Sequence, residues 1–221
     1  MDVEILGGKS FSFLKVILPP GKEIITESGA MASMDKGIDL DTEFNGGFLN
    51  AIIIKLFGKE TIFINTFKNE SSQDQTLYLT QRAPGEIVAV DLKDESLFIQ
   101  PGAYIASTPG IKFSLRWAGF SSWLAREGLF RIQISGRGRV WYGSFGAIIE
   151  KEVNGEYIVD SGHLLSYPKD MELQIKLSGG IFSSIFGGEG LVLKLIGRGK
   201  IKLQTRSIGG LAGWLNPRFW S

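Results

Sequence analysis

The side chains that most often carry out chemistry are scarce in this chain of 221 residues. Cysteine is absent, and His163 is the one histidine. Without cysteine the chain has no disulfide, thiol nucleophile or thiolate metal site. One histidine cannot supply the several imidazoles of a typical zinc or iron site, and no nucleophile motif accompanies it for a Ser-His-Asp triad. We therefore predict a protein that is not an enzyme and that holds no metal ion and no cofactor.

Three glutamates are the next candidates, because Glu60, Glu127 and Glu189 stand at matching places after three apolar segments. If a pseudo-threefold axis brought the three carboxylates together, they could form a cation site or raise one another's pKa. Alternatively, each glutamate is exposed at the start of a strand or accepts hydrogen bonds from the amides of a turn. The second interpretation is favoured, because carboxylates that recur in a repeat are more often caps than ligands.

Two Gly-Arg-Gly sequences, at 136–138 and 197–199, are predicted to form turns, and the first lies near Trp141 and Tyr142. Basic and aromatic residues on strands can bind single-stranded nucleic acid. However, 24 basic residues against 23 acidic ones leave a net charge of +1, and the arginines alternate with apolar residues as on a solvated strand. A nucleic acid is therefore not the expected partner, and no glycine-rich segment matches a phosphate-binding loop.

Strand patterns dominate the segments that must position these residues. Apolar and polar residues alternate, which places one face of a strand in a core and the other in water. Four segments show the alternation most clearly: 111–117, 129–134, 171–177 and 200–205. The 29 glycines fit many sharp turns between such strands, so we predict an all-β protein of the sandwich or barrel kind. The candidates for short helices are 47–57, 120–126, 181–186 and 211–215.

An internal repeat organises these strands. Around Gly29, Gly102 and Gly162, an apolar run and a polar residue precede a serine or proline and the glycine, and a second apolar run follows. An alternating strand, a glycine step, an apolar segment, a glutamate and a strand pair come next in each copy. One unit of roughly 60–70 residues buries two sheet faces poorly, so we predict three β-modules in one compact unit around a pseudo-threefold axis. Their predicted bounds are 1–83, 84–147 and 148–221.

The repeated segments also resemble a known family, and the resemblance spans nearly the whole chain. The motifs that carry it are Glu27-Ser28-Gly29-Ala30-Met31, Gln100-Pro101-Gly102-Ala103-Tyr104, Gly188-Glu189-Gly190-Leu191 and Thr205-Arg206-Ser207. They are similar to the altered-inheritance-of-mitochondria family. The resemblance implies a double-stranded β-helix or β-sandwich grouped with the tryptophan RNA-binding attenuation protein, and a family tied in mitochondria to the organisation of the inner membrane. The resemblance to this family implies no catalytic residues.

Apolar segments occur between the strands, where connections are usually polar. Either they fold inward to plug the ends of the sandwich or to mediate self-association, or they form an exposed patch for a partner or a membrane. Tryptophan, phenylalanine and arginine near the end of the chain match the composition of interfacial anchors. The predicted interaction surface consists of the large apolar residues of these segments and of the C-terminal tail: Phe48, Ile52, Ile53, Phe57, Phe120, Trp123, Leu124, Ile181, Phe182, Phe186, Trp214, Phe219 and Trp220.

These observations together predict a non-enzymatic β-scaffold that acts by self-assembly or by contact with a protein partner or a membrane, with membrane organisation as one such role. The alternative is a module that binds a small ligand or single-stranded nucleic acid. The acidic start of the chain leads into no long apolar run and shows no transit peptide. We therefore expect a cytoplasmic protein of a prokaryote, in which any membrane contact is peripheral.

Overall fold

The computed structural model describes residues 1–41, 64–117, 130–177 and 191–219 of the chain. In this part of the chain, fifteen strands are joined by antiparallel pairing, and one helix follows the last strand. The all-β prediction is therefore confirmed. The strands are β1 (Asp2–Leu6), β2 (Phe13–Leu18), β3 (Glu23–Glu27), β4 (Met31–Met34), β5 (Ile38–Asp41), β6 (Ile64–Asn69), β7 (Gln75–Thr80), β8 (Ile87–Ile99), β9 (Tyr104–Ser107), β10 (Ile111–Trp117), β11 (Phe130–Gly143), β12 (Ile148–Asp160), β13 (Leu164–Pro168), β14 (Glu172–Leu177) and β15 (Leu191–Gln204).

The helix, α1, spans Ile208–Phe219. It contains the predicted helical segment 211–215, which is confirmed as part of a longer helix. The other three predicted helical segments, together with Glu60, Glu127 and Glu189, lie outside the described residues.

The strands form two sheets. The smaller has the order β1-β2-β7-β4. The larger has the order β12-β15-β13-β8-β11-β9-β3-β6-β5, and β10 and β14 pair with β11 and β15 beside this path. Two long antiparallel pairs form much of the larger sheet, because β8 lies along β11 and β12 lies along β15 for their whole length. The prediction of three modules around a pseudo-threefold axis, and of the double-stranded β-helix detail, stays a prediction.

The two Gly-Arg-Gly sequences do not form turns, contrary to the prediction. They lie inside β11 and β15, and both strands, of 14 residues each, continue through them. Gly136 and Gly197 have φ values of 108° and 134°, which residues with a side chain rarely adopt. In β11 the register against β8 shifts directly after Gly136, which marks a β-bulge. Glycine therefore occupies backbone conformations inside two continuous strands where turns were predicted.

Alternation produces the core where one face of a strand is covered. In β2, Leu14, Val16 and Leu18 are fully buried, and the residues between them are half-buried. Each such leucine contributes about 2 kcal/mol by burial. The buried apolar side chains form three clusters, centred on β2 with β7, on β8 with β11, and on β12 with β13 and β15.

The first part of β11 departs from this one-sided pattern. Alternation places Arg131 and Gln133 in water, but they are only 2% and 7% exposed. Ile132 and Ile134, on the opposite face, are buried as well. Both faces of this strand are therefore covered, as happens for central strands of a layered sheet.

The three glycine segments of the repeat form turns with the same backbone hydrogen bond. In each, an amide donates to the carbonyl oxygen three residues before it: Ala30 to Glu27 at 3.1 Å, Ala103 to Gln100 at 3.2 Å, and His163 to Asp160 at 3.1 Å. Gly29 and Gly102 have φ values of 85° and 78° in these turns, which explains the choice of glycine there.

Candidate interaction surface

Three residues separate helix α1 from the end of β15. Ser207 caps it, because its hydroxyl accepts a hydrogen bond from the amide of Gly210 (3.0 Å) and its carbonyl accepts one from the amide of Leu211 (3.0 Å). The helix contains three glycines, at 209, 210 and 213, and glycine costs about 1 kcal/mol against alanine inside a helix. Helix α1 is therefore weak on its own, and a contact that covers its apolar face would stabilise it.

The apolar side chains of α1 face solvent. Ile208, Leu211, Trp214 and Phe219 are 57%, 41%, 56% and 73% exposed, and Leu215 is half-buried. Because successive residues are rotated by about 100° in a helix, all of these except Trp214 lie within about 80° of one another around its axis. We call these five residues the α1 stripe. An open apolar stripe of this kind marks a surface that contacts a partner or a membrane.

The single charged residue of α1 covers the tryptophan at the edge of the stripe. The guanidinium carbon of Arg218 lies 4.2 Å from the centroid of the Trp214 ring, and its Nη1 donates to the carbonyl oxygen of Trp214. The pair thus presents an apolar body with a charged rim. Tryptophan is enriched at the boundary between water and a membrane.

Two residues of the predicted interaction surface, Trp214 and Phe219, belong to the α1 stripe. The others lie outside the described residues: Phe48, Ile52, Ile53, Phe57, Phe120, Trp123, Leu124, Ile181, Phe182, Phe186 and Trp220. The strands that flank the three inter-strand segments are described, and each flanking pair is antiparallel: β5 with β6, β10 with β11, and β14 with β15. Each predicted segment therefore connects the two strands of one antiparallel pair.

His163 lies half-buried in the turn between β12 and β13. Its Nδ1 lies 2.7 Å from the carbonyl oxygen of Gln204, and the amide of Gln204 donates to the carbonyl oxygen of His163 (2.9 Å). Because a carbonyl oxygen can only accept, Nδ1 carries the proton of this hydrogen bond. The imidazole therefore fastens the turn to the end of β15.

The side chain of Gln204 extends this connection to two further segments of the chain. Its Nε2 donates to Oε1 of Gln100 (3.1 Å) and to the carbonyl oxygen of Gly162 (2.8 Å), and its Oε1 accepts from the amide of Phe145 (2.9 Å). Gln204 is 5% exposed. Alternation along β15 places this residue in water, so the sequence gives no signal that singles it out.

Aspartates on β8 pair with Arg137, in the first Gly-Arg-Gly sequence, and with Arg139, directly after it. Arg137 lies 2.5 Å from Asp94, and Arg139 donates to both carboxylate oxygens of Asp91, at 2.6 and 2.8 Å. The hydrogen bond from Arg139 holds the pKa of Asp91 below its usual value. The two arginines and Asp91 border an open groove of about 730 Å³ that also reaches Trp141. Because both guanidinium groups have a carboxylate partner, neither offers an uncompensated charge to a phosphate.

Arg131 is a buried cation that sequence reasoning missed. Its Nη1 and Nη2 donate to the carbonyl oxygens of Leu164 (3.3 Å) and Ser161 (3.4 Å), and its buried Nε has no hydrogen-bond partner. Burial lowers the pKa of Arg131 to about 10, and burial raises that of nearby Tyr167 to about 12. Arg131 therefore connects the start of β11 with the turn after β12, although the alternating pattern predicted that its side chain would face solvent.

Among residues 1–41, 64–117, 130–177 and 191–219, no three acidic or histidine side chains are placed to hold a metal ion. No helix in these ranges is long and apolar enough to cross a bilayer.

The fold and the α1 stripe define an all-β protein that carries an exposed apolar helix. The chain belongs to the mitochondrial biogenesis AIM24 family, whose model matches residues 3–206. This confirms the resemblance seen in the glycine motifs, whereas the grouping with the tryptophan RNA-binding attenuation protein stays a prediction. Helix α1 begins after the matched residues.

Two proteins of Streptococcus pyogenes illustrate the similarity. An uncharacterized protein of serotype M6 is 25% identical over 214 residues, which cover 93% of this chain and 86% of the relative. A crystal structure of a protein from the same species has a TM-score of 0.79 at 24% identity and covers 98% of this chain and 99% of that one. The second likeness supports the fold alone.

Proposed function

We propose that this protein is a non-enzymatic β-scaffold whose helix α1 binds the surface of a membrane. The observation that carries the proposal is the α1 stripe, in which four of five apolar residues are exposed and Trp214 contacts Arg218. An amphipathic helix whose polar face carries lysine or arginine lies in the plane of the interface with its apolar face buried, and α1 supplies one such cation, Arg218. Because α1 follows β15 directly, its binding would hold the sheets against the membrane.

Burial of the stripe supplies the driving force. Covering a large apolar side chain contributes about 1.5–3 kcal/mol, and Trp214 and Phe219 are both more than half exposed before binding. Helix α1 has one charged residue and the chain has a net charge of +1. Binding is therefore driven by apolar contact, and added salt weakens it little.

The contacts of the described polar residues support a scaffold over an enzyme. His163 is hydrogen-bonded within a turn, and Arg137 and Arg139 are paired with aspartates. The family's description, mitochondrial biogenesis, names no reaction. Since α1 lies beyond the residues that match the family, its stripe supports the proposal independently of that description.

Co-sedimentation with vesicles of a zwitterionic phospholipid tests the proposal. We expect the unmutated chain to sediment with the vesicles and the double variant Trp214→Ser, Phe219→Ser to lose about a hundredfold in partition coefficient, which equals about 3 kcal/mol. The expected binding persists at high salt.

Phe11→Ser is the matched control, because Phe11 is 72% exposed, as Phe219 is at 73%, but lies in the connection between β1 and β2. This variant should bind vesicles as the unmutated chain does. Absence of binding by the unmutated chain, or an equal loss in both variants, would overturn the proposal.

A further inference from the structure

Three short strands follow the three glycine turns and occupy corresponding places. β4, β9 and β13 pair antiparallel with β7, β11 and β15, and each pair contains one register shift. The residue before each short strand also accepts the same kind of backbone hydrogen bond: Ala30 from Thr80 at 2.7 Å, Ala103 from Gly143 at 2.8 Å, and His163 from Gln204 at 2.9 Å. The three strands are therefore expected to have equivalent surroundings.

Two of the three short strands have a second neighbour. β9 pairs antiparallel with β3, where Ala106 lies opposite Thr26. β13 pairs antiparallel with β8, where Ser166 lies opposite Ile99. In both junctions, the residue four positions after one glycine of the repeat lies opposite the residue three positions before the previous glycine of the repeat. In the first junction these two glycines are Gly102 and Gly29, and in the second they are Gly162 and Gly102. The two junctions thus have the same register.

The third short strand, β4, lacks this neighbour among the described residues. It pairs with β7 alone, and all four of its residues are exposed, whereas all four of β9 are buried. The strand that corresponds to β3 and to the end of β8 is β12, which within the described part of the chain pairs with β15 alone and exposes 62% of Ile158. Among the described residues, β4 and β12 therefore each have one unpaired edge, and these are the two kinds of edge that the internal junctions bring together.

We infer that β4 of one copy of this chain pairs antiparallel with the end of β12 of a second copy. The register of the two internal junctions places Ser33 opposite Val159 and Met34 opposite Ile158. Because both edges are open in the same chain, each edge takes its neighbour from another molecule. This surface is distinct from the α1 stripe, and the association requires no membrane.

The internal junctions indicate what the new one would bury. Tyr167 of β13 lies opposite Phe98 of β8, and their rings stack with centroids 5.0 Å apart. Met34 and Ile158 are the corresponding pair and are 37% and 62% exposed in the single chain. Pairing would cover both side chains and satisfy the backbone groups of two edge strands, which otherwise invite unspecific association.

The association is head-to-tail, because each copy offers one β4 edge and one β12 edge. A heterologous interface of this kind builds closed rings or open filaments, in contrast to a twofold dimer. A copy with a blocked β4 can still receive a β4, and a copy with a blocked β12 can still donate one. This asymmetry allows a direct test.

Light scattering coupled to gel filtration measures the assembly without membranes. We expect the unmutated chain to show a mass at least twice the 24.3 kDa of one chain. Met34→Lys and Ile158→Lys, which place a charge on an edge, should each give the monomer mass. An equal mixture of these two variants should form a dimer, since one intact junction remains between them.

Ile149→Lys is the control, because Ile149 is 49% exposed on the same strand but lies outside the proposed junction. This variant should assemble as the unmutated chain does. A monomeric unmutated chain, assembly that survives both lysine changes, or a mixture that stays monomeric would overturn the inference. Loss of vesicle binding in the α1 double variant with unchanged assembly would show that the two surfaces are independent.

Disulfide trapping keeps the test valid if a lysine variant folds poorly. The chain has no cysteine, so Met34→Cys in one copy and Ile158→Cys in another create one designed pair. Oxidation of the mixture should yield a covalent dimer, because facing Cβ atoms of antiparallel strands lie about 4.5–5.5 Å apart. Met34→Cys mixed with Ile149→Cys should yield no more dimer than either alone. Equal yields from the two mixtures would contradict the proposed register.

Discussion

Replacement of Gln204 should destabilise the fold far more than its place on an alternating strand suggests. The side chain makes three hydrogen bonds, to Gln100, Gly162 and Phe145, at 2.8–3.1 Å, and is 5% exposed. Each such bond contributes about 0.5–1.5 kcal/mol, and its loss leaves polar groups with little access to water. We therefore expect Gln204→Ala to lower the free energy of unfolding by about 2–4 kcal/mol, measured by urea denaturation monitored by circular dichroism.

Two further variants sharpen this prediction. Gln174→Ala is the control, because the Gln174 side chain hydrogen-bonds the exposed Glu172 at the surface, and it should change the free energy of unfolding by less than about 0.5 kcal/mol. Gln204→Glu should be most destabilising at neutral pH, where a carboxylate would face two carbonyl oxygens, and should recover as the pH falls towards about 4. Equal, small losses for Gln204→Ala and Gln174→Ala would refute the role given to this network.

Three other predictions concern backbone strain, pH and the helix cap. Gly136→Ala should lower the free energy of unfolding by more than Gly29→Ala, because a Cβ at 136 would lie 2.3 Å from the carbonyl oxygen of Gly110, whereas one at 29 meets no atom within 4 Å; urea denaturation of both variants checks this. Burial raises the pKa of Tyr142 and of Tyr167 to about 12, so native chains keep protons that unfolded chains lose near pH 10. Stability should therefore fall as pH rises from about 10 to 12, by about 1.4 kcal/mol per pH unit and per tyrosine, and Tyr142→Phe should reduce that slope in urea titrations. Ser207→Ala removes the cap of α1 and should weaken vesicle binding severalfold through a cost of about 1 kcal/mol, while the unfolding of the sheets stays unchanged.

The sequence was sufficient for the all-β class, for the family and for the glycine turns. Those features depend on local patterns: alternation, positive φ at Gly29 and Gly102, and the motifs around them. The Gly-Arg-Gly sequences were misinterpreted because glycine occurs inside long strands, at a bulge in β11, as well as in turns. Only the pairing of β11 with β8 and of β15 with β12 distinguishes a strand from a turn.

The polar residues that join different strands could not be identified from the sequence. Arg131 and Gln204 occupy solvent positions in an alternating pattern, but neighbouring strands and turns cover both. Likewise, β4 and β9 have similar places in the repeat, and only the sheet order reveals that one is covered and the other is open. These properties depend on contacts between residues far apart in sequence.

The environment of α1 in the presence of a membrane tests the proposed function most directly. Because the chain lacks cysteine, Ala212→Cys places a single environment-sensitive fluorophore on an exposed residue beside the α1 stripe. Addition of phospholipid vesicles should shift its emission to shorter wavelength, while the same label at Phe11→Cys should not respond. Unchanged emission at 212, or an equal shift at 11, would contradict membrane binding through α1.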